Sequence, residues 1–183
     1  MQTQAGSLRV EVKSGIVEIS WNEQAFVTSV GLERAAQSES ACTASHLPRR
    51  IFQFIEDLQE YFETGKPFSR ITWEDVAAQD LSEFQKKVYR ATLSIPHGET
   101  RTYGWVSMKI GAPLACRAVG QALRKNPFPL LVPCHRVVSN QSLGGFMGAD
   151  SPEAPELDLK RQLLSLENSF VNPFFPFTAS IGA

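Results

Sequence analysis

Apolar and polar residues alternate through residues 8–20, LRVEVKSGIVEIS, on both sides of Ser14-Gly15. That alternation predicts a strand–turn–strand hairpin, with Gly15 free to take a positive φ. Residues 25–32 predict a third strand, and the small, polar stretch 33–45 a loop or a weak helix. The period then lengthens. Ile51, Phe52, Ile55, Leu58, Tyr61 and Phe62 recur at helical spacing until Gly65-Lys66-Pro67 stops the helix. Residues 66–83 read as a linker. Beyond it, Phe84, Val88, Ala91 and Ile95 mark one face of a helix ending at Pro96-His97-Gly98, where His97 is expected to be a structural turn residue. A short helix over 102–110, a turn at Gly111-Ala112-Pro113 and a helix over 114–125 follow, closed by Asn126-Pro127. Helix, tight turn with glycine, helix is the helix-turn-helix pattern, in which the second helix meets DNA, although two helices so joined also serve packing alone. Residues 130–138, LLVPCHRVV, are an apolar run broken by polar side chains, and 140–148 a loop. Ser151-Pro152 supplies an N-cap and first-turn proline for a last helix reaching Glu167. The phenylalanine- and proline-rich tail, 168–183, fits no regular helix.

These elements give a mixed α/β (α+β) class in two domains. Residues 1–80 form a small hairpin or sheet plus helix, and residues 81–183 a mostly helical domain containing the helix-turn-helix. A chain of 183 residues with 43% hydrophobic and 20% charged residues has the composition of a soluble globular protein and can bury a core without staples. No apolar run approaches the roughly 20 residues that span a bilayer, and no secretory signal is visible, so a membrane partner is not expected. Three cysteines, Cys42, Cys116 and Cys134, are too few for a disulfide scaffold and fit a reducing, cytoplasmic setting. The net charge of −1 hides a strong asymmetry. Between Phe84 and Asn140 nine basic residues face the single acid Glu99, a net +8, while the remainder carries −9. A polyanion is the natural ligand of such a basic segment, and a solvated helical face is the alternative. On the second helix of the pair Ala115, Cys116, Ala118, Gly120 and Ala122 are small, which allows close approach to a partner, and Arg117, Arg124 and Lys125 are basic.

Cys134-His135 is the chemical centre. A thiolate is the competent sulfur nucleophile, and a nearby imidazole can take the thiol proton. Neighbours on an extended segment point to opposite faces, so a direct contact needs a kink, which Pro133 can supply, or a bridging water. The histidine needs a third group to orient it, preferably a carboxylate, and pattern alone does not choose which. Cys42-x-x-x-His46 offers two ligands and no second pair, so neither a metal nor another cofactor is expected.

The residues around Cys134 narrow the choice. PCHRVV (133–138) resembles the active-site motif of the O6-alkylguanine-DNA alkyltransferase family. The likeness extends in order through FQKKVYRATLSIPHGETRTYG (84–104), IGAPLACRAVGQALRKNP (110–127), LGGFMG (143–148) and LKRQLLSLE (159–167). The resemblance implies direct repair of double-stranded DNA carrying O6-alkylguanine and, less well, O4-alkylthymine, each molecule acting once by transfer of the alkyl group to Cys134. By the same likeness His135 accepts the thiol proton through a water, Glu167 orients it, and Asn126 ties the recognition helix to the active-site segment. Arg117 fills the stack left by the flipped nucleotide and Tyr103 promotes its rotation. Ala115, Gly120 and Lys125 belong to the minor-groove surface. Val137, Met147 and Gly148 join Tyr103 in the base pocket. The family's relatives include lesion sensors that lack the cysteine; a sensor feeding excision repair is therefore the alternative, and a cysteine hydrolase a second. Met147 departs from the small polar residue common at its position, and the connection 151–158 is long. We expect a monomer with no obligate protein partner, placed where the DNA is: the nucleoid in a bacterium, the nucleus in a eukaryote.

Overall fold

The computed structural model describes residues 4–33, 47–149, 151 and 153–171. They form two compact units: Met1–Asp80 with Pro127–Leu131, and Leu81–Asn126 with Val132–Ala183. The Cys42/His46 pair and the tail beyond 171 lie outside the described residues.

In the first unit three antiparallel strands, β1 (Gly6–Val12), β2 (Gly15–Trp21) and β3 (Val27–Glu33), lie in the order β1-β2-β3. The alternation seen in the sequence buries Leu8, Val10, Val17 and Ile19. Helix α1 (Arg49–Thr64) packs against β1 and buries Ile51, Phe54, Leu58, Tyr61 and Phe62. Gly65, at φ 75°, closes α1 by donating its N–H to the Tyr61 carbonyl, a conformation that penalises any Cβ. The linker that follows is held by one buried carboxylate. Asp57, 2% exposed, accepts the backbone N–H groups of Ser69 (3.2 Å), Arg70 (2.8 Å) and Ile71 (2.9 Å) and the Arg70 guanidinium (2.8 Å). The segment Pro127–Leu131 also belongs to this unit: its Pro127 carbonyl accepts the Val30 N–H at 2.7 Å, and the Phe128 ring meets Trp73 edge-on.

The second unit begins with α2 (Glu83–Leu93), whose capping box pairs Ser82 with Gln85. A two-residue strand, β4 (Arg101–Thr102), leads into α3 (Tyr103–Lys109), capped by the Thr102 hydroxyl. A tight turn follows, in which the fully buried Ser107 hydroxyl donates to the Gly104 carbonyl and the Ala112 N–H returns to the Ser107 carbonyl. Helix α4 (Cys116–Arg124) completes the helix-turn-helix. It starts at Cys116, not 114, because Leu114 and Ala115 complete the turn. Tyr89 of α2 donates its hydroxyl to the Ala122 carbonyl of α4 at 2.9 Å and so fixes the pair to the third helix. The active-site motif enters as a single 3-10 turn, Cys134–Arg136, and then β5 (Val137–Val138) pairs in parallel with β4. The last helix, α5 (Pro155–Val171), begins three residues after the expected Pro152 and runs into what the sequence marked as tail. Pro155 takes the first helical position, where a missing N–H costs nothing, with Glu156 and Asp158 complementing the helix N-terminus.

Candidate active site

Pro133 (φ −77°, ψ 63°) bends the chain, and the turn that follows is why adjacent residues can share a task. Cys134 lines an open cleft, whereas His135 is 1% exposed and turned into the protein. Behind the turn, His135 Nε2 lies 2.7 Å from Oε1 of Glu167, itself fully buried on α5. An ionised carboxylate only accepts, so Nε2 carries the proton and Nδ1 is left with its lone pair. Nδ1 is buried and has no hydrogen-bond partner among the described residues.

Burial alone would push the Glu167 carboxyl up. His135 and Arg136 overcome it and hold the group well below the usual carboxylate range. Arg136 supplies a two-pronged fork, Nε to Oε2 at 2.8 Å and Nη2 to Oε1 at 2.9 Å, and the Gly98 N–H is a second donor to Oε2. The other guanidinium contacts are Nη1 to the Ile95 carbonyl (3.0 Å) and Nη2 to Nδ1 of His97 (2.9 Å). Burial lowers the His135 pKa against the pull of Glu167, which keeps the imidazole neutral and able to accept a proton.

The thiol is held from the other side. Asn126 Nδ2 donates to Cys134 Sγ (3.4 Å) and to the Val132 carbonyl (3.1 Å), fixing the end of α4 to the approach to the turn. Burial pushes the Cys134 thiol up, and the Asn126 donor and the Lys160 charge pull it back. Lys160, fully buried on α5, gives its ammonium to three carbonyls: Val137 (2.7 Å), Leu143 (2.6 Å) and Gly145 (3.1 Å). Burial lowers its pKa to about 8 while the neighbouring Cys134 raises it. It ties the loop that walls the cleft to the segment that carries the thiol.

The cleft encloses about 340 Å³ and is lined by Tyr103, Arg117, Gly120, Cys134, Met147 and Gly148 among others. The Tyr103 hydroxyl donates to the Gly145 carbonyl at 3.4 Å, and burial raises its pKa. Gly144, at φ +66°, is required here: a Cβ at this position would come within 2.8 Å of the Tyr103 ring. Phe146 and Ala149 exchange N–H···O=C bonds at 2.9 Å, and the tip between them presents Met147, at φ +47°, and Gly148 to the cleft.

Of the residues singled out in the sequence, Tyr103, Arg117, Gly120, Met147 and Gly148 line the cleft with Cys134, Asn126 bonds its sulfur, and His135 and Glu167 pair behind it. Val137, expected in the pocket, is fully buried in β5 and does not line the cleft; its contribution is the carbonyl held by Lys160. Ala115 precedes α4 and Lys125 follows it, both outside the cleft. Two residues escaped sequence reasoning. Arg136 sat inside the quoted motif without a role, and Lys160 left a signal as a lone cation among Leu157, Leu159, Leu163 and Leu164 on the buried face of α5. Among the described residues no group of His, Cys, Asp and Glu could hold a metal ion, and no helix is long and apolar enough to cross a membrane.

Comparison with known proteins places these features in a family. Residues 83–169 match the model of the 6-O-methylguanine DNA methyltransferase DNA-binding domain. A methylated-DNA–protein-cysteine methyltransferase of Methanosarcina acetivorans is 48% identical over 93 residues, 50% of this chain and 55% of its own length. Its counterpart in Methanosarcina mazei is 44% identical over 120 residues, 65% of this chain and 70% of its own. The chain thus spans between about half and 70% of the length of these curated relatives. The crystal structure of Mycobacterium tuberculosis OGT in complex with DNA superposes with a TM-score of 0.68 at 29% identity, covering 88% of this chain and 92% of that one. Sequence and fold thus agree, and the chain belongs to the methylated-DNA–protein-cysteine methyltransferase family.

Proposed function

We propose that the protein repairs alkylated DNA directly, moving the alkyl group from O6 of guanine to Cys134. In this reaction the Cys134 sulfur attacks the alkyl carbon, the S–C bond forms as the C–O6 bond breaks, and O6 becomes the carbonyl of restored guanine. The thiol proton passes to His135 Nδ1 through a bridging water, and guanine recovers a proton at its ring nitrogen. The thioether has no carbonyl for water to attack, so the sulfur stays capped and each molecule acts once.

The observation that carries this reading is the hydrogen-bond chain beside the thiol: an ionised Glu167 pinned by Arg136, a neutral His135 with its Nε2–H on Glu167, and a buried Nδ1 with no partner among the described residues. General-base assistance of this kind contributes about 10²–10⁴-fold. The base must leave the duplex to reach Cys134, at a cost of a few kcal/mol. Arg117, exposed on α4 and lining the cleft, fills the gap in the stack. Tyr103 turns the nucleotide, and the Met147–Gly148 tip walls the pocket, with a backbone N–H for O6. Ala115, Gly120 and Lys125 face the minor groove and its phosphates, contacts that position the protein without reading sequence. The protein acts as a monomer on double-stranded DNA inside the cell.

A lesion sensor would need no nucleophile, and the presence of Cys134 in its hydrogen-bonded setting favours transfer. Incubation with a duplex bearing labelled O6-methylguanine tests the proposal. Label is expected on the protein up to one equivalent; binding without label would leave a sensor, and loss of label from the DNA beyond one equivalent of protein a turnover enzyme.

A further inference from the structure

His97 occupies a turn that the sequence marks only as a helix stop, yet it reaches the machinery behind Cys134. Its Nδ1 lies 2.9 Å from Arg136 Nη2 and 3.7 Å from Glu167 Oε2. The side chain is 12% exposed, so protons can reach it from solvent. A guanidinium has only N–H groups to offer and does not deprotonate. Nδ1 is therefore the acceptor, the ring proton sits on Nε2, and the imidazole is neutral in this arrangement. The contact holds the outer edge of a guanidinium whose inner edge, Nε and Nη2, grips Glu167. The next residue along, Gly98, gives its own N–H to Glu167 Oε2 at 3.2 Å. One turn thus clamps the guanidinium and the carboxylate together.

We propose that His97 is a positioning residue for alkyl transfer, its neutral imidazole holding the Arg136 fork flat on Glu167 so that Oε1 stays on the Nε2–H of His135. Protonation ends that role, because an imidazolium has no lone pair for Nη2 and presents its own charge to the guanidinium. The charged groups facing His97 include Arg136 from the 134–136 turn and Glu167 from α5, and the Glu99–Arg101 ion pair follows shortly after it in the chain. The only negative group among the first two is Glu167. A protonated His97 therefore competes with His135 for the same carboxylate, and transfer weakens once His97 carries a second ring proton. The inference rests on the alkyl-transfer reading above.

Single-turnover transfer from methylated duplex, followed from pH 5 to 8, tests it in the full chain with His97→Leu and His97→Asn. The asparagine carbonyl can accept from Arg136 and does not titrate; leucine cannot accept. The leucine variant is expected to be slower by about tenfold at neutral pH, as for loss of one hydrogen bond to a charged group. The asparagine variant should stay close to the wild-type rate there and keep more of it below pH 6. A leucine variant as fast as wild type, or an asparagine variant as slow as leucine, overturns the proposal, as does a parallel acid loss in wild type and His97→Asn. Failure of the wild-type protein to take up any alkyl group is a different result, and it removes the underlying reading instead.

Discussion

The two sides of Cys134 are built on opposite principles. Behind it, His135, Glu167 and Lys160 are at most 1% exposed, and the Arg136 side chain is 11% exposed. Every carboxylate oxygen and ammonium proton there has a partner at 2.6–3.2 Å. Charges taken this far from water persist only when paired and hydrogen-bonded throughout. In front of it, the cleft is lined by Gly120, Gly145 and Gly148, the Tyr103 and Phe146 rings and Met147, and its lining cations, Arg117 and Arg124, are exposed with no carboxylate partner among the described residues. Apart from Nδ1 of His135, which has no partner among the described residues, the rear is pre-organised by the protein's own hydrogen bonds. The front presents cations that no described carboxylate pairs, the kind of surface that suits a polyanion.

Substitutions that reach both sides, one side or neither separate these roles. Cys134→Ala removes the acceptor: transfer is expected to vanish while binding of duplex, measured by fluorescence anisotropy, stays within about twofold, because binding belongs to the front. Glu167→Gln attacks the rear. Transfer should slow by about 10²-fold or more, since the amide cannot hold His135 in the productive tautomer as a carboxylate does. It also leaves the buried Arg136 charge unpaired, a loss of about 3–5 kcal/mol in a denaturant titration.

The same residue sets an acid limb. Against the upward push of burial, His135 and Arg136 hold the folded Glu167 carboxyl below the usual carboxylate range. Its contribution to stability is therefore full above that range and is lost progressively as pH falls through and below it. Wild type should show this slope and Glu167→Gln should not; equal slopes would mean that other carboxylates dominate.

Arg117→Ala attacks the front. We expect duplex repair to fall by about tenfold or more through the lost compensation for base flipping, with little change in reaction with free O6-benzylguanine. Equal losses on the two substrates would place Arg117 in the chemistry rather than the flip. The smallest effect on transfer is expected from Asp57→Ala in the first unit. It strands the N–H groups of Ser69, Arg70 and Ile71 and should cost about 1–3 kcal/mol of stability, while the rate per folded molecule is unchanged.

Much of this was legible in the amino-acid sequence, though by two routes. Period-2 alternation gives β1 and β2, and helical spacing with Gly65 gives α1, because one buried face and one turn conformation decide those elements locally. The start of α5 was misplaced since Ser151-Pro152 and Pro155 both satisfy helix-start chemistry, and only the packing of Leu157, Leu159 and Leu163 chooses between them. Pro133 can supply a kink in the run 130–138, and the structure makes it a 3-10 turn with the Cys134 N–H on the Val132 carbonyl, a turn type the sequence does not specify. In the site, Cys134 and His135 stand out by chemistry. Glu167 came only through family likeness, since nothing local distinguishes it from other acids. Lys160 and His97 act on groups many residues away, a carbonyl of Val137 or a nitrogen of Arg136, and no periodicity encodes such partners.

The most direct measurement is the intact mass of the protein after exposure to an excess of duplex carrying O6-methylguanine, with peptide mapping of the product. The account predicts a single added CH2 unit, borne by Cys134, and a duplex restored to guanine. An unchanged protein mass beside an unrepaired duplex, or a methyl group found on any other residue, contradicts it.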